Sequence, residues 1–194
     1  SWHMALWHSR TNPKRPEHDA RDQSFTRLVA LEIDYVHRSL RRLGVPAADI
    51  EDLCQDVFCV VLRRMADLDP ARSPRPFIFG ISYRIALSHR RKVQREQATG
   101  DIEERAYAPS SDADGAARSL VLAALGEVPI ERRAVVVLHE LDGVDMKEIA
   151  TELGIPLFTA YSRLRKGRQE FEKAARTLLQ IHSPTRHSSP SGNL

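Results

Sequence analysis

The feature that most constrains this chain is a succession of apolar stripes at helical spacing, each cut off by glycine or proline. Phe25, Val29, Ile33, Val36, Leu40 and Leu43 recur in steps of three and four, the spacing that lines one face of an α-helix. Asp22 or Ser24 can cap its start, Gly44 stops it, and Pro46 lies just beyond. A second stripe, Ile50, Leu53, Val57, Val60, Val61, Met65 and Leu68, predicts a helix over 47–68. Asp69-Pro70 and Ser73-Pro74 break the pattern, and Pro76 suits a first helical position because the amide it lacks would be unpaired there anyway. A third stripe, Phe77, Ile78, Ile81, Ile85 and Leu87, runs into the basic stretch His89-Arg90-Arg91-Lys92. Together these predict one small all-α domain over 22–92.

Beyond it the periodicity lapses. Residues 93–117 carry six acids (Glu96, Asp101, Glu103, Glu104, Asp112, Asp114) against Arg95 and Arg105, with Gly100, Pro109, Ser110, Ser111 and Gly115 among them. Such a composition predicts an acidic flexible linker, with a coil span of roughly 25–30 Å that would let two domains move independently. Helical spacing resumes over 118–181. Leu120, Leu122, Ala123 and Leu125 precede the break at Val128-Pro129, and a helix over 132–141 ends at Asp142-Gly143. The next starts at Asp145 with Glu148 three residues on, the acidic relative of a capping box, and Gly154-Ile155-Pro156 turns into a last helix over 157–179. The ends, 1–21 and 182–194, are expected to be disordered, and Ser1 to Met4 read as a cloning remnant ahead of a start methionine. No segment alternates with strand period and no internal repeat is present, so the predicted fold class is all-α, two small helical domains joined by a linker.

Several functions are excluded at this level. No apolar run approaches the ~20 residues that cross a bilayer, so no membrane insertion is expected. Nothing resembles a secretion signal, and Cys54 and Cys59 would sit about 140° apart on one helix, unable to bridge. A cytoplasmic protein with reduced thiols is the expectation. The net charge of +3 is too small to argue for nucleic acid by itself, so the placement of charge decides. The eight histidines show no ligand spacing, no phosphate-cradling glycine loop or nucleophile motif occurs, and neither a cofactor nor enzymatic activity is expected.

Three constellations carry the functional reading. Residues 146–168 have the grammar of a helix-turn-helix: Ile149, Ala150 and Leu153 turn inward on a short helix, Gly154 makes the turn, and Ala160 and Leu164 are the inward positions of the second helix. Such a helix fits the major groove, and Arg163, Arg165, Lys166 and Arg168 add attraction for phosphate. Tyr161 fits either a base-contacting group or a partly buried aromatic packed on the first helix. Around Asp49 to Phe58, the helical wheel sets Asp52, Asp56 and Cys59 opposite the core stripe with Gln55 and Leu62 at the edge, an acidic face suited to a basic, partly apolar partner. A divalent metal at Asp52 and Asp56 lacks a third ligand nearby in sequence. Finally, Phe77, Phe79 and Tyr83 interleave with Arg75, Arg84, His89, Arg90, Arg91 and Lys92, and cations that track a backbone beside rings that stack on bases suit DNA.

In this order the constellations resemble the bacterial sigma-70 family, specifically the small extracytoplasmic-function (ECF, group IV) sigma factors, which keep only sigma regions 2 and 4. Ile50-Glu51-Asp52-Leu53-Cys54-Gln55-Asp56-Val57-Phe58 looks like the acidic core-binding helix, and Pro76-Phe77-Ile78-Phe79-Gly80-Ile81 like the start of the minus-ten-reading helix. Glu148-Ile149-Ala150 with Thr159-Ala160-Tyr161-Ser162-Arg163-Leu164 looks like the region-4 helix-turn-helix. The resemblance implies a non-enzymatic specificity subunit that binds core RNA polymerase, directs it to promoter DNA and assists melting, commonly under the control of an anti-sigma factor. It implies polymerase contacts at Asp52, Gln55, Asp56 and Phe58. Minus-ten contacts would come from Asp69, Arg72, Arg75, Tyr83, Arg84, Arg90 and Arg91, and minus-thirty-five contacts from Phe158, Thr159, Tyr161, Ser162, Arg163, Arg165 and Lys166. Two positions depart from the family: Ser82-Tyr83-Arg84 stands where Ala-Arg-Asn is usual, and Tyr161 where Lys or Arg is common. The competing readings are a stand-alone helix-turn-helix regulator, which leaves the first two helical constellations unexplained, and a metal-dependent nuclease built on Asp52 and Asp56.

Overall fold

The computed structural model describes residues 15–98 and 113–182. The acidic positions Asp101, Glu103, Glu104 and Asp112, and both extreme ends of the chain, lie outside the described residues. Within them the protein is all-α. Helices α1 (Arg15–Leu43), α2 (Ile50–Arg63) and α3 (Arg75–Ala98) form a first bundle, and α4 (Ala113–Gly126), α5 (Ile130–Val136), α6 (Met146–Leu153) and α7 (Leu157–His182) form a second.

Several boundaries differ from the sequence expectation. α1 begins at Arg15 rather than Asp22, with Pro16 in a first turn that tolerates it. α2 stops at Arg63, because Met65–Asp67 tightens into a 3-10 turn pinned by Arg64 Nε donating to Asp67 Oδ2 at 2.8 Å. α3 runs through Val93 to Ala98, since nothing before Gly100 breaks it and Lys92 meets Glu96 one turn on at 3.9 Å. α4 already begins at Ala113, so helix takes up both ends of the segment expected to link the bundles. The helix expected over 132–141 is α5 followed by a π-helical turn, Val137–Leu141, closed by Asp142 N–H to Val137 O at 3.1 Å.

The core explains the order. Val36, Leu40 and Leu43 of α1 close on Val57 and Val61 of α2 and on Ile78 and Phe79 of α3, all buried. Leu125, Val128, Val135, Leu138 and Ile149 do the same in the second bundle. The two sets are contiguous, a single apolar core passing through both bundles. Gly167 of α7 marks the tightest approach in the second: a Cβ there would lie 2.7 Å from Val136 Cγ2 and 3.3 Å from Arg132 O. Gly167→Ala is therefore expected to lower stability by about 1–3 kcal/mol, although alanine is favoured by ~1 kcal/mol in a helix. An unchanged urea midpoint would show that α5 and α7 have room to spare.

Candidate functional site

The first surface lies on α2. Leu53, Val57 and Val61 face the core, which turns Asp52, Gln55, Asp56 and Cys59 out to solvent as the wheel predicts. Phe58 does not join them. It is buried beneath α1, edge-on to Phe25 with ring centroids 6.4 Å apart, because α1 covers that side of α2. Its remaining edge lines an apolar groove between the two helices, with Phe25, Val29, Ile33 and Leu62. Ile33, expected in the core stripe, is 39% exposed there. Glu51 and Gln55 of α2 thus border an open apolar trough. The thiols differ sharply: burial, then the Glu51 charge, pushes Cys54 up to about 11, whereas Cys59 stands exposed at the groove.

The second surface is on α3 and the loop before it, and only part of it is open. Arg90 and Arg91 are exposed. Asp69 Oδ1 accepts from Ala71 N–H at 2.9 Å, which shapes the loop itself. Arg75 is tied into the first bundle: Nε donates to Glu32 Oε2 at 2.9 Å and the guanidinium lies 5.1 Å from the Tyr35 ring centre. Tyr83, expected to face DNA, is buried near Arg163 of α7, and burial, then the Glu131 charge, raises its pKa. Arg72 and Arg84 are engaged by α6: Arg72 Nη2 donates to Glu148 Oε1 at 2.8 Å and Arg84 Nη2 to Glu152 O at 2.7 Å. Glu148 therefore meets Arg72 instead of completing a capping box, and Asp145 alone caps α6 by accepting from Lys147 N–H at 2.8 Å.

The third surface is the helix-turn-helix of α6 and α7. Gly154 takes the left-handed conformation (φ +67°), its N–H bonds Thr151 O at 3.1 Å, and Ile155 N–H bonds Ala150 O at 2.9 Å. This is the glycine-terminated end that the sequence anticipates. Ile149, Ala150, Leu153, Ala160 and Leu164 are buried between the two helices. On α7, Phe158, Tyr161, Ser162, Arg165 and Lys166 fall within an arc of about 140°, opposite the buried Ala160, Leu164 and Gly167. Phe158 is 77% and Tyr161 55% exposed, so Tyr161 points outward rather than packing on α6. Thr159 is half-buried at the edge of this arc. Arg163 lies beyond it and turns to Tyr83. Arg168 is occupied by Glu140.

Sequence reasoning missed Arg133 and Asp142. Arg133 is 3% exposed, and its Nε, Nη1 and Nη2 donate to Val128 O (3.0 Å), Leu43 O (2.7 Å) and Gly126 O (2.6 Å). Burial, with the nearby Arg90 charge, lowers its pKa to about 10, so it stays a cation at neutral pH. The signal was present: Arg133 occupies the apolar face shared by Ile130, Ala134 and Val137, where a charge requires a partner. Asp142 accepts from Tyr35 Oη at 2.8 Å and Arg42 Nη1 at 3.0 Å, a contact between bundles that no local pattern reveals. Among the described residues no three His, Cys, Asp or Glu side chains converge where a metal could sit.

Comparison with known proteins assigns these surfaces to a family. Residues 28–96 match the family model "Sigma-70 region 2" and residues 118–171 match "Sigma-70, region 4". The ECF RNA polymerase sigma factor SigE of Mycolicibacterium smegmatis is 30% identical over 154 residues, 76% of this chain but 60% of that relative, so the match spans less than two thirds of its length. The RNA polymerase sigma factor CnrH of Cupriavidus metallidurans is 27% identical over 159 residues, 75% of this chain and 83% of the relative. Among solved structures, the sigma factor RpoE in complex with the anti-sigma factor NepR from Bartonella quintana shares the fold with a TM-score of 0.66 at 19% identity, over 83% of this chain and 99% of that one. CnrH in complex with the cytosolic domain of CnrY shares it at 0.54 and 24% identity, over 84% and 91%. With both family regions present in order, each on its own helical bundle, the chain belongs to the sigma-70 family of RNA polymerase sigma factors, in its extracytoplasmic-function group.

Proposed function

We propose that this protein binds core RNA polymerase, brings it to promoters and assists their melting. The observation that carries the reading is the presence on one chain of an acid-bordered apolar groove on region 2 and an outward aromatic and basic face on the region-4 recognition helix. Gln55 lines the groove and Asp52 and Asp56 are exposed on the same helix beyond it; the three would meet a basic, apolar helical element of the polymerase, with Phe58 as the floor of the groove. Phe158, Tyr161, Ser162, Arg165 and Lys166 would enter the major groove at the minus-thirty-five element: the cations hold phosphates, and the aromatic pair contacts base edges and thymine methyl groups. Thr159 and Arg163 complete this set at its rim. Asp69, Arg72, Tyr83, Arg84, Arg90 and Arg91 would serve the minus-ten element, and Arg75 would act by holding the loop through Glu32. The work is done in the cytoplasm, in keeping with the absence among the described residues of any helix long and apolar enough to cross a membrane. An anti-sigma partner is part of the reading, supported by relatives of the same fold that were solved with NepR and CnrY.

The test is reconstituted transcription with core polymerase on a template library randomised at both promoter elements. Transcripts that depend on the protein and start downstream of an enriched element pair are expected. Tight duplex binding without polymerase, and no transcripts with it, would indicate a stand-alone regulator instead.

A further inference from the structure

The first two turns of α7 expose apolar surface that folding does not use. Phe158 is the most exposed large apolar side chain among the described residues, Tyr161 stands out beside it, and Leu157 is partly open at the same end. With 100° and 1.5 Å per residue, the two rings leave the helix about 60° and about 4.5 Å apart, on one face. Ala160 and Leu164 hold the opposite side of α7 in the core, so neither ring is needed there. Apolar side chains scattered singly over a surface need no explanation, but neighbours left out of the core mark a surface that is covered in use.

Charge identifies what covers it. From Leu157 to Gln169 the chain contains no Asp or Glu. Arg165 and Lys166 are exposed on the same arc as the rings and carry no ion pair among the described residues, whereas Arg168, outside the arc, is paired with Glu140. The rings are thus flanked by cations that attract phosphate, which aims them between the strands at base edges. In the major groove the apolar group that a base pair offers is the C5-methyl of thymine. Successive bases on a strand are about 3.4 Å apart, so rings about 4.5 Å apart along α7 suit adjacent base pairs rather than separated ones.

We propose that Phe158 and Tyr161 set the specificity of the upstream promoter element by packing on the methyl groups of two consecutive thymines. This rests on the minus-thirty-five reading of α7. Tyr161 acts through its ring rather than its hydroxyl. A Lys or Arg at its position would instead reach O6 and N7 of guanine, so the departure from the family pattern exchanges one base preference for another. Losing one packed methyl should weaken recognition about fourfold and losing both about fifteenfold, the worth of one and two buried carbons.

The test uses the full chain with core polymerase and the promoter enriched from the randomised library, which is expected to carry two neighbouring thymines in its upstream element. Synthetic templates replace them with deoxyuridine, which pairs with adenine identically and lacks only the methyl. At limiting protein, transcript yield should fall about fourfold for either replacement and about fifteenfold for both. Phe158→Ala should shrink the fifteenfold ratio to about fourfold at an unchanged urea midpoint, and Tyr161→Phe should preserve it. An enriched element without neighbouring thymines, or yields indifferent to deoxyuridine, overturns the proposal. So does a Phe158→Ala loss that is equal on both templates, which would mark the rings as a docking surface for a protein. Absence of transcripts from every template would overturn the sigma reading instead. The same thymine and deoxyuridine pair, in gel shifts of the duplex that the protein selects alone, would then decide whether the rings read methyl groups.

Discussion

Replacing Arg133 with methionine is expected to lower the stability of the protein by about 2–4 kcal/mol, read as a shift of the urea midpoint at unchanged slope. Methionine fills much of the same space but offers no donor to Val128 O, Leu43 O and Gly126 O, and a buried carbonyl left unpaired costs about 1–3 kcal/mol. Losing the desolvation penalty of the cation offsets part of this, which keeps the figure below the sum of three. Arg133→Lys should recover only a fraction, because an ammonium at the end of a single stem cannot reach three carbonyls set around a planar fork. A methionine variant as stable as the parent would mean that the carbonyls find water, and that Arg133 contributes nothing to the join.

Reversing two charges at the α2 face should be the most damaging change to assembly. Asp52→Lys with Asp56→Lys is expected to weaken association with core polymerase by about 100-fold or more, since like charges set against a basic partner cost several kcal/mol. Both side chains are exposed and face away from the core, so stability should fall by no more than about 1–2 kcal/mol, mostly from placing a cation in the first turn of α2 at Asp52. The parent's affinity should also fall as salt rises, because contacts at an exposed rim are screened. Glu172→Lys, an exposed reversal on α7, is the control and should leave association intact. Undiminished binding by the Asp52/Asp56 variant would remove this face from the polymerase interface.

Much of the fold is legible in the chain because each helix has its own stripe and its own punctuation. Gly44, Gly154 and Pro156 mark the helix ends beside them, and the α6–α7 pair follows from five inward residues and one glycine. Boundaries failed where punctuation was weak: nothing between Lys92 and Gly100 stops α3, and the 3-10 turn after Arg63 depends on an Arg64–Asp67 pair that carries no periodic signal. The outward faces of α2 and α7 were legible because the wheel fixes them once the core side is known. What could not be read is the fate of Tyr83, Arg84 and Arg72. Their surroundings are supplied by α6 and α7, some 70 residues away or more, and helical spacing reports only on neighbours within the same helix. Arg75 misled for a related reason, since its partner Glu32 lies on α1.

The contacts between the two bundles also govern how such proteins can be recombined. Grafting another relative's second bundle onto this first one, to retarget it to a foreign upstream element, imports half of a lock whose other half stays behind. The Leu43 carbonyl is main chain and will accept from any incoming counterpart of Arg133. Tyr35 and Arg42 make their contacts through side chains, and an incoming bundle without an acid at the place of Asp142 leaves both unmatched. Hybrids should therefore sort by whether they retain that acid, and those that lack it should join their two bundles less firmly.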